Sequence, residues 1–138
     1  MKAKRPKSVT WLAVGVLILA VLHFTRLVST ISRWEYLETL WLSVPLIYFV
    51  LSGLIWGLSA GVLGIGLWRG RNWAIRYTHY GAIAFTVYYW VDRLFLSIDP
   101  LRKTNFKFSL GATVFLLAII YWILSRPKAQ LFFGEENE

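Results

Sequence analysis

The sequence contains no cysteine. Disulfides, iron–sulfur ligation and thiol catalysis are therefore excluded, and the compartment cannot be read from redox chemistry. Acidic residues are scarce, seven against fifteen Lys and Arg, leaving a net charge of +8. Charge of either sign is thin: 16% of the 138 residues, where soluble domains carry about 25%. Between Glu38 and Arg69 there is none. An HExxH helix, a Walker-type phosphate loop and a dinucleotide fingerprint are also missing. No serine, histidine and acid fall at one depth of the apolar runs. These absences give no basis for an enzyme, a cofactor, a metal centre or a sizeable soluble domain.

What the chain has in abundance is apolar and aromatic surface: 57% hydrophobic, 17% aromatic, mean hydropathy +0.55. The charges gather between long apolar runs, the pattern of a polytopic membrane protein. We read an all-α fold, a single domain of four transmembrane helices over about 9–29, 45–68, 73–96 and 108–124, with 125–138 as a cytoplasmic tail. The basic residues sit at span ends, where they meet anionic lipid headgroups, so nucleic acid is not an expected partner.

The second span, Pro45 to Trp68, covers roughly 36 Å at helical rise, enough to cross a hydrocarbon core of ~30 Å. Inside it Gly53, Gly57 and Gly61 recur every fourth residue, with Gly64 one turn further. Residues four apart share a helix face, so these glycines form a groove without side chains. Lipid is as apolar as leucine, so membrane helices associate through close packing, and such a groove lets a neighbouring backbone approach. Whether the neighbour belongs to this chain or to another copy is left open by the spacing.

The first span follows the basic residues Lys2, Lys4, Arg5 and Lys7. It is longer than a signal-peptide core and no small-x-small cleavage site follows, so it reads as an uncleaved anchor. Ser32 and Glu35 fit a capping box. Trp34, Leu37, Trp41 and Val44 then recur at helical spacing, which predicts a short amphipathic helix at the membrane surface before the bend at Pro45. One long helix kinked at Pro45 is the alternative. Asp99–Pro100 offers a cap ahead of the fourth span. Arg126–Pro127 ends that span, and Lys128 to Phe133 is expected to lie on the inner leaflet or to dock on a partner protein.

Lys and Arg beside the spans fix an orientation. Lys2, Lys4, Arg5, Lys7, Arg69, Arg71, Arg126 and Lys128 fall on one side; Arg33, Arg102, Lys103 and Lys107 fall on the other. The excess places both termini in the cytoplasm. Tryptophans agree, with Trp11, Trp68, Trp73 and Trp122 near the inner boundary and Trp34, Trp41 and Trp90 near the outer one.

The third span is the least ordinary, holding Arg76, His79, Asp92, Arg93 and the tyrosines 77, 80, 88 and 89. A charge in hydrocarbon needs a partner. Counted from the boundaries, Arg26 and Asp92 fall at one height, with His23 one turn deeper. We expect an Arg26–Asp92 contact, either a structural clasp or part of a proton or ion path through His23. Arg76 and His79 are weaker candidates, read first as interfacial. A haem held by both histidines is excluded by depth, since His23 lies about 21 Å and His79 about 9 Å from the inner boundary.

The turn Trp68-Arg69-Gly70-Arg71-Asn72-Trp73-Ala74 and the ending Tyr121 to Gly134 resemble those of small, uncharacterised bacterial four-span integral membrane proteins. The resemblance implies a prokaryotic inner-membrane protein and brings no catalytic residue. Four short spans are also the plan of small multidrug transporters, but those need an acid in the first span and none is present. The expected function is a non-enzymatic structural or accessory subunit, packed through its glycine face in a homo-oligomer or a larger membrane complex. A small channel or transporter using His23, Arg26 and Asp92 is the alternative.

Overall fold

The structure, a computed structural model, describes residues 4–40, 44–96 and 105–134. Trp41, the Asp99–Pro100 cap, Arg102, Lys103 and the Glu135–Glu138 ending lie outside them. Among the described residues the fold is all-helical: α1 Lys7–Ser32, α2 Trp34–Glu38, α3 Leu46–Arg69, α4 Asn72–Val91 running on into a π-helical turn Asp92–Leu96, α5 Phe106–Ser125 and α6 Pro127–Gly134. Three helices, α1, α3 and α5, are long and apolar enough to cross a membrane. α4 matches α5 in length at 20 residues but is diluted by Arg76, His79 and four tyrosines.

Successive long helices run antiparallel. Gly53 meets His23 and Leu27 while Gly64 meets Leu17, so α1 and α3 pass in opposite directions. Trp56 packs on Phe85 between α3 and α4, and Trp90 on Phe106 between α4 and α5. α5 returns to α1 and closes a four-helix ring. Large apolar side chains such as Val21, Ile55, Val62, Val87 and Phe115 stand exposed on its outside, as expected of helices set in hydrocarbon.

The α1–α3 pair is the tightest in the bundle, and the glycines are the reason. A Cβ at Gly53 would lie 3.2 Å from the His23 carbonyl oxygen, and one at Gly57 3.3 Å from the Phe24 ring. At Gly64 it would lie 2.6 Å from Leu17 Cδ2. The groove is thus filled from within the chain. Gly61 is the exception, with nothing within 4 Å of its Cβ position. A four-residue repeat drifts around a helix of 3.6 residues per turn, and Gly53, Gly57 and Gly64 keep instead the 4-then-7 spacing of a nearly straight seam.

α3 ends at Gly70, whose φ of +73° places it in the left-handed region. Arg71 N–H then donates to the Gly66 carbonyl at 3.0 Å, the reversal that glycine permits at a helix C-terminus. Gly66 also lets α4 turn back closely, because a Cβ there would lie 2.7 Å from the Trp73 ring.

The cap expected at Ser32 is not formed. Ser32 is the last residue of α1, and α2 begins behind Arg33 without a side-chain cap. Within α2, Glu38 accepts a hydrogen bond from Trp34 Nε1 at 2.6 Å, a pairing one turn apart. α2 lasts five residues and α3 starts afresh behind Pro45, so the segment is a separate short helix and not part of a long kinked one.

The tail packs on the bundle itself: Ala129 and Phe133 of α6 are buried together with Val9, Ala13, Leu67, Ala74, Ile123 and Leu124, while Lys128, Gln130 and Leu131 stay exposed on its other side. Phe132 sits over Gly70, with its ring 2.7 Å from where a Cβ would be. We call this end, where α1 begins and α5 ends, the terminal end of the bundle. An apolar helix face beside an apolar core is better buried there than split between headgroups and acyl chains.

Candidate functional site

The polar groups inside the bundle lie toward the opposite, far end. Thr78, Gly81, Phe85, Tyr88 and Asp92 recur on α4 at alternating three- and four-residue spacing, so they share one face. That face points inward: Thr78 is buried, Gly81 touches Leu63, Phe85 packs edge-on against His23 and Trp56, and Tyr88 packs on Trp56.

At the head of the row Tyr48 Oη donates to Asp92 Oδ1 at 2.9 Å. Arg26 lies 4.8 Å from the centre of the Phe49 ring, a cation–π contact. The two residues expected to meet are thus each engaged by consecutive residues of α3, whose first turn stands between them. Consecutive helical positions point about 100° apart, so one turn can serve both neighbours.

Where α4 passes into its π-helical turn, Arg93 is carried inward to 8% exposure. Its Nη1 donates to Tyr89 Oη at 3.0 Å. A π-helical turn rotates the residues that follow it relative to a regular helix. Here Asp92 and Arg93 both gain partners inside the bundle.

His23 and His79 occupy different levels. His23 faces Phe85, six residues or about 9 Å along α4 from His79. His79 packs on Tyr121 of α5, with its Nδ1 2.9 Å from the Ile75 carbonyl. That contact makes Nδ1 the protonated nitrogen and leaves Nε2 a buried acceptor without a partner. Arg76, one turn back, is exposed. Among the described residues no three His, Asp or Glu come together as a metal site would require.

Three further buried polar atoms have no partner in hydrogen-bonding geometry: His23 Nδ1, Thr78 Oγ1 and Tyr88 Oη. Thr78 stands apart from its kind. Thr10, Thr25, Thr30, Thr86 and Thr113 all return their hydroxyls to the carbonyl one turn back.

Tyr48, Trp56, Phe85 and Thr78 are the members that sequence reasoning did not single out, and Tyr88 enters it only as one of the third span's tyrosines. Tyr48 was findable, as a phenol in the first turn of the second span at the height of Asp92. Thr78 carries no such signal, because any helical threonine can satisfy itself on its own backbone. Compared with known protein families, curated proteins and solved structures, the chain matches none of them.

Proposed function

We propose that this chain is a structural or accessory subunit of a membrane assembly, without catalysis of its own. In this reading α4 is a fourth span and both termini face the cytoplasm of a prokaryotic cell. The chain then sits with the small bacterial four-span proteins that its hairpin and tail resemble. The observation that carries the reading is the outward side of α4. Tyr77 and Tyr80 are 59% and 64% exposed on it, with exposed Arg76 beside them. Hydrocarbon offers these groups no hydrogen bond, and a neighbouring protein helix does. The glycine face is spent on α1, so assembly falls to α4, against a second copy or a larger complex. Anionic headgroups are the second partner. Lys4, Lys7, Arg69, Arg71, Arg126 and Lys128 all stand exposed at the terminal end. A channel or transporter through His23, Arg26 and Asp92 has less support, because the apolar core closes the terminal end.

The test uses the cysteine-free background. Tyr80→Cys and Ala84→Cys should cross-link to a neighbour in native membranes, and the protein in mild detergent should exceed a monomer's mass or carry a partner. A lone monomer with no cross-link refutes the reading. Glu35→Cys should react with an impermeant thiol reagent outside intact cells, and Lys4→Cys should not.

A further inference from the structure

The far half of the bundle holds more polar atoms than it satisfies. His23 Nδ1 from α1 and Tyr88 Oη from α4 are both buried and neither has a partner in hydrogen-bonding geometry, although Tyr88 Oη stands beside the Tyr48 hydroxyl. They converge on one cluster, since Phe85 packs against both residues at 5.8 and 6.1 Å between ring centres. Below them the same face of α4 carries Thr78, 4% exposed, with its hydroxyl unpartnered. Above them the Tyr48–Asp92 pair is half-buried, so the row begins at the surface. Past Thr78 it ends, because Ala74, Leu67, Leu124 and Phe133 are apolar and buried.

We propose that α1, α3 and α4 enclose a water-binding cleft, closed at the terminal end, that runs from Asp92 and Tyr48 past Tyr88 to His23 and Thr78. Water is the ligand the chemistry selects. Both orphaned groups on the upper level can donate or accept, and water does both at once. Inside a membrane no bulk solvent is at hand, so a polar group without a bound water has no recourse. The cleft would give His23 contact with water from one membrane face and not the other. Arg26 on α1, Asp92 on α4 and Tyr48 on α3 are the polar and charged groups that flank the upper part of this approach.

The proposal rests on α4 crossing the membrane, and its test separates the two. Tyr88→Cys lies in the cleft, whereas Val87→Cys, one residue away, faces outward at 57% exposure. A small charged thiol reagent reacts with the thiolate, which forms in water and not in hydrocarbon. Added to membrane vesicles of defined sidedness, it should label Tyr88→Cys from the far-end face only, at least tenfold faster than Val87→Cys. Equal, rapid labelling of both would mean that α4 lies at a surface and does not cross, which removes the cleft and the fourth span together. No labelling of Tyr88→Cys from either face, while Glu35→Cys reacts, would refute the cleft and leave the span. Tyr88→Phe supplies a second measure in a variant that keeps its ring. If water bridges the hydroxyl, the melting temperature falls; if it rises, the hydroxyl was a buried burden and the cleft is dry.

Discussion

The two ends of this bundle are built from opposite materials. At the terminal end Val9, Leu67, Leu124 and Phe133 are fully buried, and every large side chain in the cluster is apolar. Toward the far end the interior holds His23, Tyr48, Tyr88, Asp92 and Arg93, joined by hydrogen bonds and ring contacts. An apolar cluster tolerates small displacements, because dispersion has no direction. A polar cluster does not, because each buried donor needs its acceptor at a set distance. The terminal end should therefore supply most of the stability, and the far end most of the specificity in how α4 sits.

Four sets of substitutions test that contrast, from the largest expected effect to the smallest. Phe133→Ala empties the centre of the terminal core and should cost about 3–5 kcal/mol. Thermal denaturation in detergent would read it, and limited proteolysis should then cut at α6; an unchanged melt with intact α6 would mean the tail's seat is incidental. Gly53→Leu drives a side chain against the His23 backbone carbonyl, which cannot rotate away. We expect a loss of about 1–3 kcal/mol or more from overpacking, and separation of α1 from α3 should appear as lost cross-linking between cysteines placed at Leu27 and Ser52. Tyr48→Phe removes one bond to a carboxylate, worth about 1.5–3 kcal/mol where buried and less at this half-buried site. Combined with Asp92→Asn it should cost less than the sum, whereas Arg26→Gln with Asp92→Asn should add. Coupling of Arg26 to Asp92 with additivity at Tyr48 would restore the clasp and dismiss the pairing described here. Gly61→Leu meets open space and should change stability by no more than about 0.5 kcal/mol. A large loss at Gly61 would show that another molecule covers it.

How much of this was legible in the residues depends on the number of dimensions a feature needs. Helix positions need one, and Leu46–Arg69 fell within a residue or so of the apolar run that predicts it. The turn at Gly70 was likewise written in its own sequence. Depth along a span also needs one dimension, which is why residue counting alone separates His23 from His79 in height. Equal height, the ground for expecting Arg26 beside Asp92, does not fix the side of the helix on which a residue faces; Asp92 accepts from Tyr48 and Arg26 stacks on Phe49. Tyr48 stands at that height too, and α3's position between α1 and α4 decided the matter. Gly61 has no neighbour within this chain by the same rule in reverse, since a four-residue repeat looks like one face until the helix has turned far enough. The docking of α6 depended on a pocket made by residues from both ends of the chain, which no local pattern encodes.

That last feature bears on how the protein is made. The terminal core joins Val9 to Phe133, at opposite ends of the helical bundle's chain order. A chain emerging from the ribosome in order can pair α1 with α3 early, but it holds Leu67 and Gly70 uncovered until α6 arrives. Closure of this core thus waits for α6 to be synthesised. A chain cut before α6 would leave Leu67 and Gly70 uncovered however well α1 and α3 had paired.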